Sequence, residues 1–179
     1  NSMSTIQNKK LIGFAAYSGT GKTTLIKKVV GILKKSNYRV SVIKHAHHNF
    51  DVDQPGKDSY EIRKSGAENM LISSSNRWAL MHENNDNDEL RLNDLLSILD
   101  NIESDIVLVE GFKAEKFPKI ELYREDIGKG KGLLSNDDDS IIAVATDADI
   151  KIKDNLVALD INNYKEIANF IINYLDVDK

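Results

Sequence analysis

Ala16-Tyr17-Ser18-Gly19-Thr20-Gly21-Lys22-Thr23-Thr24, within the longer stretch AAYSGTGKTTLIKKVV from Ala15 to Val30, decides how this chain is read. Upstream lies the apolar run Leu11 to Ala15; downstream, Leu25, Ile26, Val29, Val30 and Leu33 recur at helical spacing. The order is therefore strand, tight loop, helix. Gly19 and Gly21 fall where backbone must turn sharply and approach an anion closely. The N–H groups of a helix's first turn have no intrahelical acceptor, so one phosphate can satisfy several of them. Lys22 is then expected to reach the β and γ phosphates, and the Thr23 hydroxyl to ligate magnesium. The general pattern G-x-x-x-x-G-K-[ST] carries Ala16 at its first position, a methyl in place of a hydrogen, while the glycines nearest the phosphates remain. A glycine-rich turn without a ligand is the plain alternative, and the strand before and amphipathic helix after weigh against it.

Composition bounds the rest. At 179 residues, 41% hydrophobic and 29% charged, the chain suits one full-sized soluble core, read as a single domain over residues 3–179. Asn1 and Ser2 precede Met3 and read as foreign to the native chain. No stretch has the length to cross a membrane and no apolar leader is visible, so a cytoplasmic protein without a membrane partner is expected. The absence of cysteine excludes disulfides, thiolate metal sites and a cysteine nucleophile. A net charge of -4, from 24 basic and 28 acidic residues, disfavours a broad nucleic-acid surface and leaves room for a local phosphate site.

Beyond the first helix, Arg39 to Lys44 (RVSVIK) reads as a second buried strand that delivers the polar segment KHAHHNFDVDQPGKDS, Lys44 to Ser59. Connections at the carboxyl ends of parallel strands carry function in open α/β sheets, so this segment is expected to be a mobile loop beside the phosphates, against a solvated linker as the alternative. Asp58 and Glu61 have capping-box spacing for a short helix that stops at Gly66. Glu68 to Ser74 and Arg77 to His82 lie too close for a parallel crossover and predict a hairpin or edge extension, giving a mixed sheet. The polar run Glu83 to Glu89 reads as a surface loop, and Leu92, Leu95, Leu96 and Leu99 mark a helix.

The second informative stretch is DIVLVEGFK, Asp105 to Lys113. Ile106 to Val109 suits a strand buried on both faces. Glu110 at its end would enter the same crevice as the phosphate loop, holding the magnesium shell or orienting water, though aspartate is more usual there and local pairing is the bland alternative. Gly111 leaves room beside the phosphates, and Lys113 is a candidate phosphate contact. Phe117 to Tyr123 contains a strand. REDIGKGKG, Arg124 to Gly132, has three glycines and no apolar face; lacking a strand-to-helix setting, it reads as an exposed or conditionally ordered loop without a ligand. Ile141 to Ala145 is a buried strand, Leu156 to Leu159 a short one, and Ile167, Ala168, Ile171, Ile172 and Leu175 form the apolar face of a last helix.

Guanine offers a carboxylate two parallel donors where adenine offers an acceptor, so an acid at the base pocket favours GTP over ATP. Asp147, just after a late strand, is the leading candidate. Its run TDAD lacks the fuller N-K-x-D pattern, and a helix cap at Asp147 or Asp149 is the alternative. Catalysis would rest on Lys22 and magnesium, with Glu110 or a histidine positioning water. His45, His47 and His48 are loosely spaced and unsupported by cysteine, which points to a phosphate-side or partner role over a structural metal.

Taken together, FAAYSGTGKTTL (Phe14–Leu25), IKHAHHNFDVDQPGKDSYEIRKSGA (Ile43–Ala67), RWALM (Arg77–Met81), LVEGFK (Leu108–Lys113) and the late AVATDAD resemble the molybdopterin-guanine dinucleotide biosynthesis protein B family. The first string alone marks a P-loop NTPase; the second is far more specific. That resemblance implies a P-loop α/β protein with a predominantly parallel twisted sheet flanked by helices. It further implies a homodimer that binds GTP with magnesium, hydrolyses it weakly, and assists the guanylyltransferase of the molybdenum cofactor, with molybdopterin or the cofactor itself as cargo. The resemblance implies phosphate roles for Gly19 to Thr24, a magnesium-site role for Glu110 and a place near the nucleotide for the loop of Asp51 and Asp53. Combined with the reading of the residues, the expected nucleotide-binding set is Ser18, Gly19, Thr20, Gly21, Lys22, Thr23, Thr24, His45, Asp51, Asp53, Lys113 and Asp147, with Thr23 and Glu110 expected to serve magnesium and Lys22 and Glu110 catalysis. A P-loop kinase of a small metabolite and a non-hydrolysing nucleotide-binding adapter are the competing readings.

Overall fold

In chain order the computed structural model contains β1 (Leu11–Ala16), α1 (Lys22–Lys35), β2 (Val40–Lys44), α2 (Asp58–Lys64), β3 (Asn69–Ser73), β4 (Trp78–His82) and α3 (Leu92–Leu99). There follow β5 (Ile106–Glu110), β6 (Lys119–Tyr123), α4 (Glu125–Gly128), a 3-10 turn (Leu134–Asn136), β7 (Ile141–Thr146), β8 (Val157–Asp160) and α5 (Tyr164–Leu175). The structure describes residues 10–47, 49–85 and 89–177. Asn1, Ser2, His48 and the middle of the Glu83–Glu89 run lie outside the described residues. The chain divides into two compact units, one formed by the residues up to His45 with Leu92 onward, the other by Ala46–Arg91.

In the first unit six strands pair in the order β2-β5-β1-β6-β7-β8, every neighbouring pair parallel. Alternation sorts their side chains by face. Ile12, Phe14, Ile106 and Leu108 meet Leu25, Val29 and Leu33 of α1 and Ile167 and Ile171 of α5. Leu11, Val107 and Val109 instead meet Leu92 and Leu96 of α3. Covered on both faces, β5 and β6 are buried almost throughout, and burying each large aliphatic side chain stabilises the unit by roughly 1.5–3 kcal/mol. Gly13 is required in β1 because a Cβ there would stand 2.3 Å from the Phe117 ring.

Register brings functional ends together: Phe14 of β1 and Lys44 of β2 both align with Glu110 of β5. At the other end of the molecule's helices, α5 begins on Asn163, whose side chain accepts from the Glu166 N–H at 3.0 Å. By contrast α1 begins on Gly21 with no side-chain cap.

The second unit holds the hairpin, a two-stranded antiparallel sheet with Leu71 opposite Leu80. The expected mixed sheet is thereby corrected: the six-stranded sheet is wholly parallel, and β3 and β4 spend their ladder bonds on each other. Asp58 is likewise no cap. It lies inside α2, whose N-cap is Lys57, while Glu61 Oε1 reaches back to accept from the Gly56 N–H at 3.0 Å. Gly66, at φ 120°, ends the helix as its sequence position predicts. Among the described residues no helix is long and apolar enough to cross a membrane.

Candidate functional site

Between β1 and α1 the loop is shaped by two left-handed glycines, Gly19 and Gly21, both at φ 87°. No heavy atom lies within 4 Å of where a Gly21 Cβ would stand, so this glycine is required by its backbone and leaves open space above α1. Thr20 is buried and ties the loop internally: its hydroxyl donates to the Tyr17 carbonyl at 2.7 Å. Ser18, Gly19, Thr23 and Thr24 are exposed. An uncapped helix start with open space before it suits an anion, because its first-turn N–H groups lack protein acceptors.

Lys22 Nζ lies 3.7 Å from Glu110 Oε1, and Lys44 Nζ lies 4.0 Å from Glu110 Oε2. Lys22 and Glu110, predicted from separate motifs, thus meet at the mouth of the loop. A carboxylate flanked by two ammonium groups can hand one of them to a phosphate without stranding an unpaired charge. The backbone around it is shaped closely: the His45 N–H donates to the Glu110 carbonyl at 2.9 Å. Gly111 sits at φ 99° and Phe112, unusually for a large side chain, at φ 57°, with the Phe112 and His45 rings stacked 5.0 Å apart. His45 therefore packs directly behind Glu110. Lys113 has an exposed side chain, and its carbonyl accepts from Lys119 Nζ at 3.2 Å.

The REDIGKGKG segment is exposed over Lys129 to Gly132, as expected, but begins in a helical turn that its lack of an apolar face does not announce. Its first residues form α4, and its anchors lie far away in sequence. Arg124 Nε donates to the Thr20 carbonyl at 3.1 Å, and the Tyr17 hydroxyl donates to the Gly132 carbonyl at 2.5 Å. Asp147 belongs to this frame: Oδ1 accepts from the Glu125 N–H at 2.9 Å, and Oδ2 lies 3.7 Å from Arg124. Its carboxylate acts as the cap of α4.

Two buried charges on β6 were not singled out from sequence. Glu121 is fully buried; burial pushes its carboxyl up, opposed by the N–H groups of Leu134 and Ser135, which it accepts at 2.6 and 2.9 Å. Lys119, also buried, donates to the carbonyls of Lys113 and Glu115. Burial lowers its pKa despite Asp138 at 3.5 Å. Burial works against Asp138 too, yet hydrogen bonds from Ser140 and the charge of Lys119 hold it below the ordinary carboxylate value.

In the second unit Asp51 and Asp53 are gathered around Arg63, which sequence reading overlooked. Arg63 Nη2 donates to Asp51 at 2.7 Å and to Asp53 at 2.8 Å, and Nη1 donates to Glu83 at 2.8 Å. The hydrogen bond from Arg63 depresses the Asp53 pKa, and the same carboxylates raise that of the guanidinium. This arrangement tethers the β2–α2 connection to α2 and to the end of β4.

A parallel sheet of this order, with a glycine-cornered loop between its first strand and first helix and a lysine–carboxylate pair at the loop's mouth, defines an α/β protein of P-loop-like fold. The chain belongs to the MobB family, molybdopterin guanine dinucleotide synthesis protein B, whose model matches residues 11–147. It is 46% identical over 165 residues to the molybdopterin-guanine dinucleotide biosynthesis adapter protein of Escherichia coli (strain K12), covering 92% of this chain and 93% of that one. The adapter protein of the same description from Haemophilus influenzae is 42% identical, at 92% and 89% coverage. Among solved structures, Bacillus subtilis MobB superposes with TM-score 0.70 at 18% identity, covering 91% of this chain and 96% of that one. A MobB homolog from Bacillus stearothermophilus gives 0.67 at 22%, covering 93% and 98%. At such identities these two structures speak for the fold.

Proposed function

We propose that this chain is a cytoplasmic GTP-binding adapter of molybdopterin-guanine dinucleotide biosynthesis, with slow magnesium-dependent GTP hydrolysis. Its relatives' description as adapter proteins of that biosynthesis supports the pathway. The observation that carries nucleotide binding is the Lys22–Glu110 pair, 3.7 Å apart beside the uncapped start of α1. Phosphates would lie against the backbone of Gly19 to Thr24, with Ser18 at the rim and Lys22 exchanging Glu110 for phosphate oxygen. The donor set fits a hard cation: the exposed Thr23 hydroxyl and the Glu110 carboxylate are oxygen ligands of the kind magnesium takes. Magnesium held by Thr23 and Glu110 would supply positive charge against that of the phosphates. Lys22 stabilises charge on the transferred phosphate, and Glu110 orients water. His45 and Lys113 are assigned supporting places on the phosphate side and Asp51 and Asp53 the ordering of the β2–α2 connection, while Asp147, whose Oδ1 accepts from the Glu125 N–H, keeps its place as the cap of α4.

A homodimer is part of the proposal. Leu71, Trp78 and Leu80 are 64%, 59% and 54% exposed on one side of the hairpin, more apolar surface than a lone two-stranded sheet comfortably leaves in water. The guanylyltransferase of the cofactor is the proposed partner, with molybdopterin or the molybdenum cofactor as cargo.

Titration with GTP and ATP in the presence of magnesium, alongside Lys22→Ala, tests the reading. Saturable GTP binding that Lys22→Ala weakens by at least tenfold, with phosphate release lost in parallel, is the expected outcome. Equal binding by wild type and variant would remove the proposed phosphate site. A labelled small molecule formed from GTP without free phosphate would favour a metabolite kinase instead.

A further inference from the structure

The Gly/Lys-rich strap between α4 and the 3-10 turn is ordered by contacts to the phosphate loop that no sequence motif anticipates. Arg124 holds the Thr20 carbonyl. The Ile127 methyl lies 3.8 Å from where a Cβ on Gly19 would stand. Tyr17, the residue that opens the loop, latches Gly132 through its hydroxyl. Beyond the strap, fully buried Glu121 fixes the backbone at Leu134 and Ser135. At the end of α4, Gly128 presses on the Tyr123 ring, where a Cβ would come within 2.2 Å, and within the strap Gly130 turns at φ 81°. Arg124 before α4 and Gly132 at the far end of the strap are therefore tied to the phosphate loop.

What this scaffold presents is Lys131. Its ammonium sits 4.9 Å from the centre of the Tyr17 ring, and among the described residues it enters no ion pair. A ring face attracts an exposed cation only weakly, far less than a phosphate oxygen does. The side chain is long, exposed and held over Tyr17, the residue that adjoins Ser18.

We infer that Lys131 is a second phosphate-binding cation, supplied to a nucleotide triphosphate by the strap and complementing Lys22 from the opposite side of the loop's sequence. The inference rests on the nucleotide-binding reading above. The Tyr17 ring serves as its parking place and the Tyr17–Gly132 hydrogen bond as the latch that keeps the strap within reach. Charge attraction to phosphate then draws Lys131 from ring to ligand.

Calorimetric titration of the full chain with magnesium-GTP and, separately, guanosine tests this. Lys131→Ala and Lys131→Gln are each expected to weaken GTP binding about tenfold, to leave guanosine binding unchanged and to flatten the salt dependence of GTP binding. Lys131→Arg restores affinity. Tyr17→Phe, which keeps the ring and removes the latch, loses a smaller part of it. Wild-type GTP affinity in both neutral variants, or equal losses for GTP and guanosine, would overturn the inference and leave the nucleotide reading standing. A wild-type chain that binds no nucleotide would overturn both.

Discussion

Gly111→Ala offers a perturbation whose sign and size come from geometry alone. The residue follows Glu110 directly and has φ 99°, and a Cβ there would meet the His45 Cβ at 2.7 Å and the His45 backbone N and Cα at 3.6 Å. Placing an L side chain in left-handed backbone costs about 1–2 kcal/mol. Forcing apart a pair of atoms that are not the free end of a flexible chain adds about 1–3 kcal/mol. The reduced freedom of the unfolded chain returns roughly 0.4–1 kcal/mol. The net loss is about 1–4.6 kcal/mol, which for a domain of this size lowers the melting temperature by about 2–18 °C. Gly31→Ala supplies the contrast. Gly31 lies inside α1, with ordinary helical φ and nothing within 4 Å of its added methyl, so helix propensity predicts a gain of roughly 0.8–1 kcal/mol. Thermal denaturation of both variants by circular dichroism is the assay. Because His45 donates to the Glu110 carbonyl, Gly111→Ala should also weaken magnesium-GTP binding, whereas Gly31→Ala should not. Two glycine-to-alanine changes that shift melting in the same direction would refute the reasoning.

Glu121 predicts an acid-side gain in stability. Its folded-state pKa is raised above the ordinary 4.5 by burial, so the folded form is favoured fully below that value and loses this contribution as pH rises through the raised pKa. Glu121→Gln should remove that slope from urea midpoints measured across the mildly acidic range; an unchanged slope would assign it to another group. Asp53 behaves oppositely. The hydrogen bond from Arg63 depresses its pKa below 3.8, so the tether is intact above the ordinary carboxylate value and is lost as pH falls through the depressed one. Arg63→Met should expose the connection between β2 and α2 to limited proteolysis near neutral pH while α1 and the parallel sheet stay folded; a cleavage pattern identical to wild type would deny Arg63 that role.

What could be read from the sequence was whatever is local. The phosphate loop is contiguous, so its glycines, lysine and threonines carry their meaning within a few residues, and the apolar runs of β1, β5 and β7 announce strands covered on both faces. That Glu110 faces the phosphate loop was foreseeable because it ends such a run, whereas its pairing with Lys22 and Lys44 is seen only in the structure. Lys119 and Glu121 were not. In FPKIELY they alternate with apolar residues, the pattern of a half-solvated strand, and only the distant segment from Leu133 to Ser140 supplies the N–H groups and carboxylate that let both be buried. Arg63 occupies a polar helix in sequence, and three carboxylates drawn from two separate stretches make it interior. For the strap the cause is similar. No apolar face exists to predict its order, and the Tyr17–Gly132 bond that fixes it joins residues 115 apart.

The polar character of these anchors has a physical consequence for the site. An apolar cluster under the phosphate loop would hold it equally well in many small displacements, since the hydrophobic effect is non-directional. Hydrogen bonds weaken steeply with angle. Thr20 bonded through its hydroxyl to Tyr17 and through its carbonyl to Arg124 is therefore fixed in orientation as well as position. The bond to its carbonyl orients the Thr20–Gly21 peptide plane, and the hydroxyl bond anchors the Thr20 side chain to the Tyr17 carbonyl. The buried threonine of this stretch is thus the one that points inward, Thr20, while Thr23 and Thr24 are exposed. Orientation of the backbone, more than its burial, is what this part of the molecule has been built to secure.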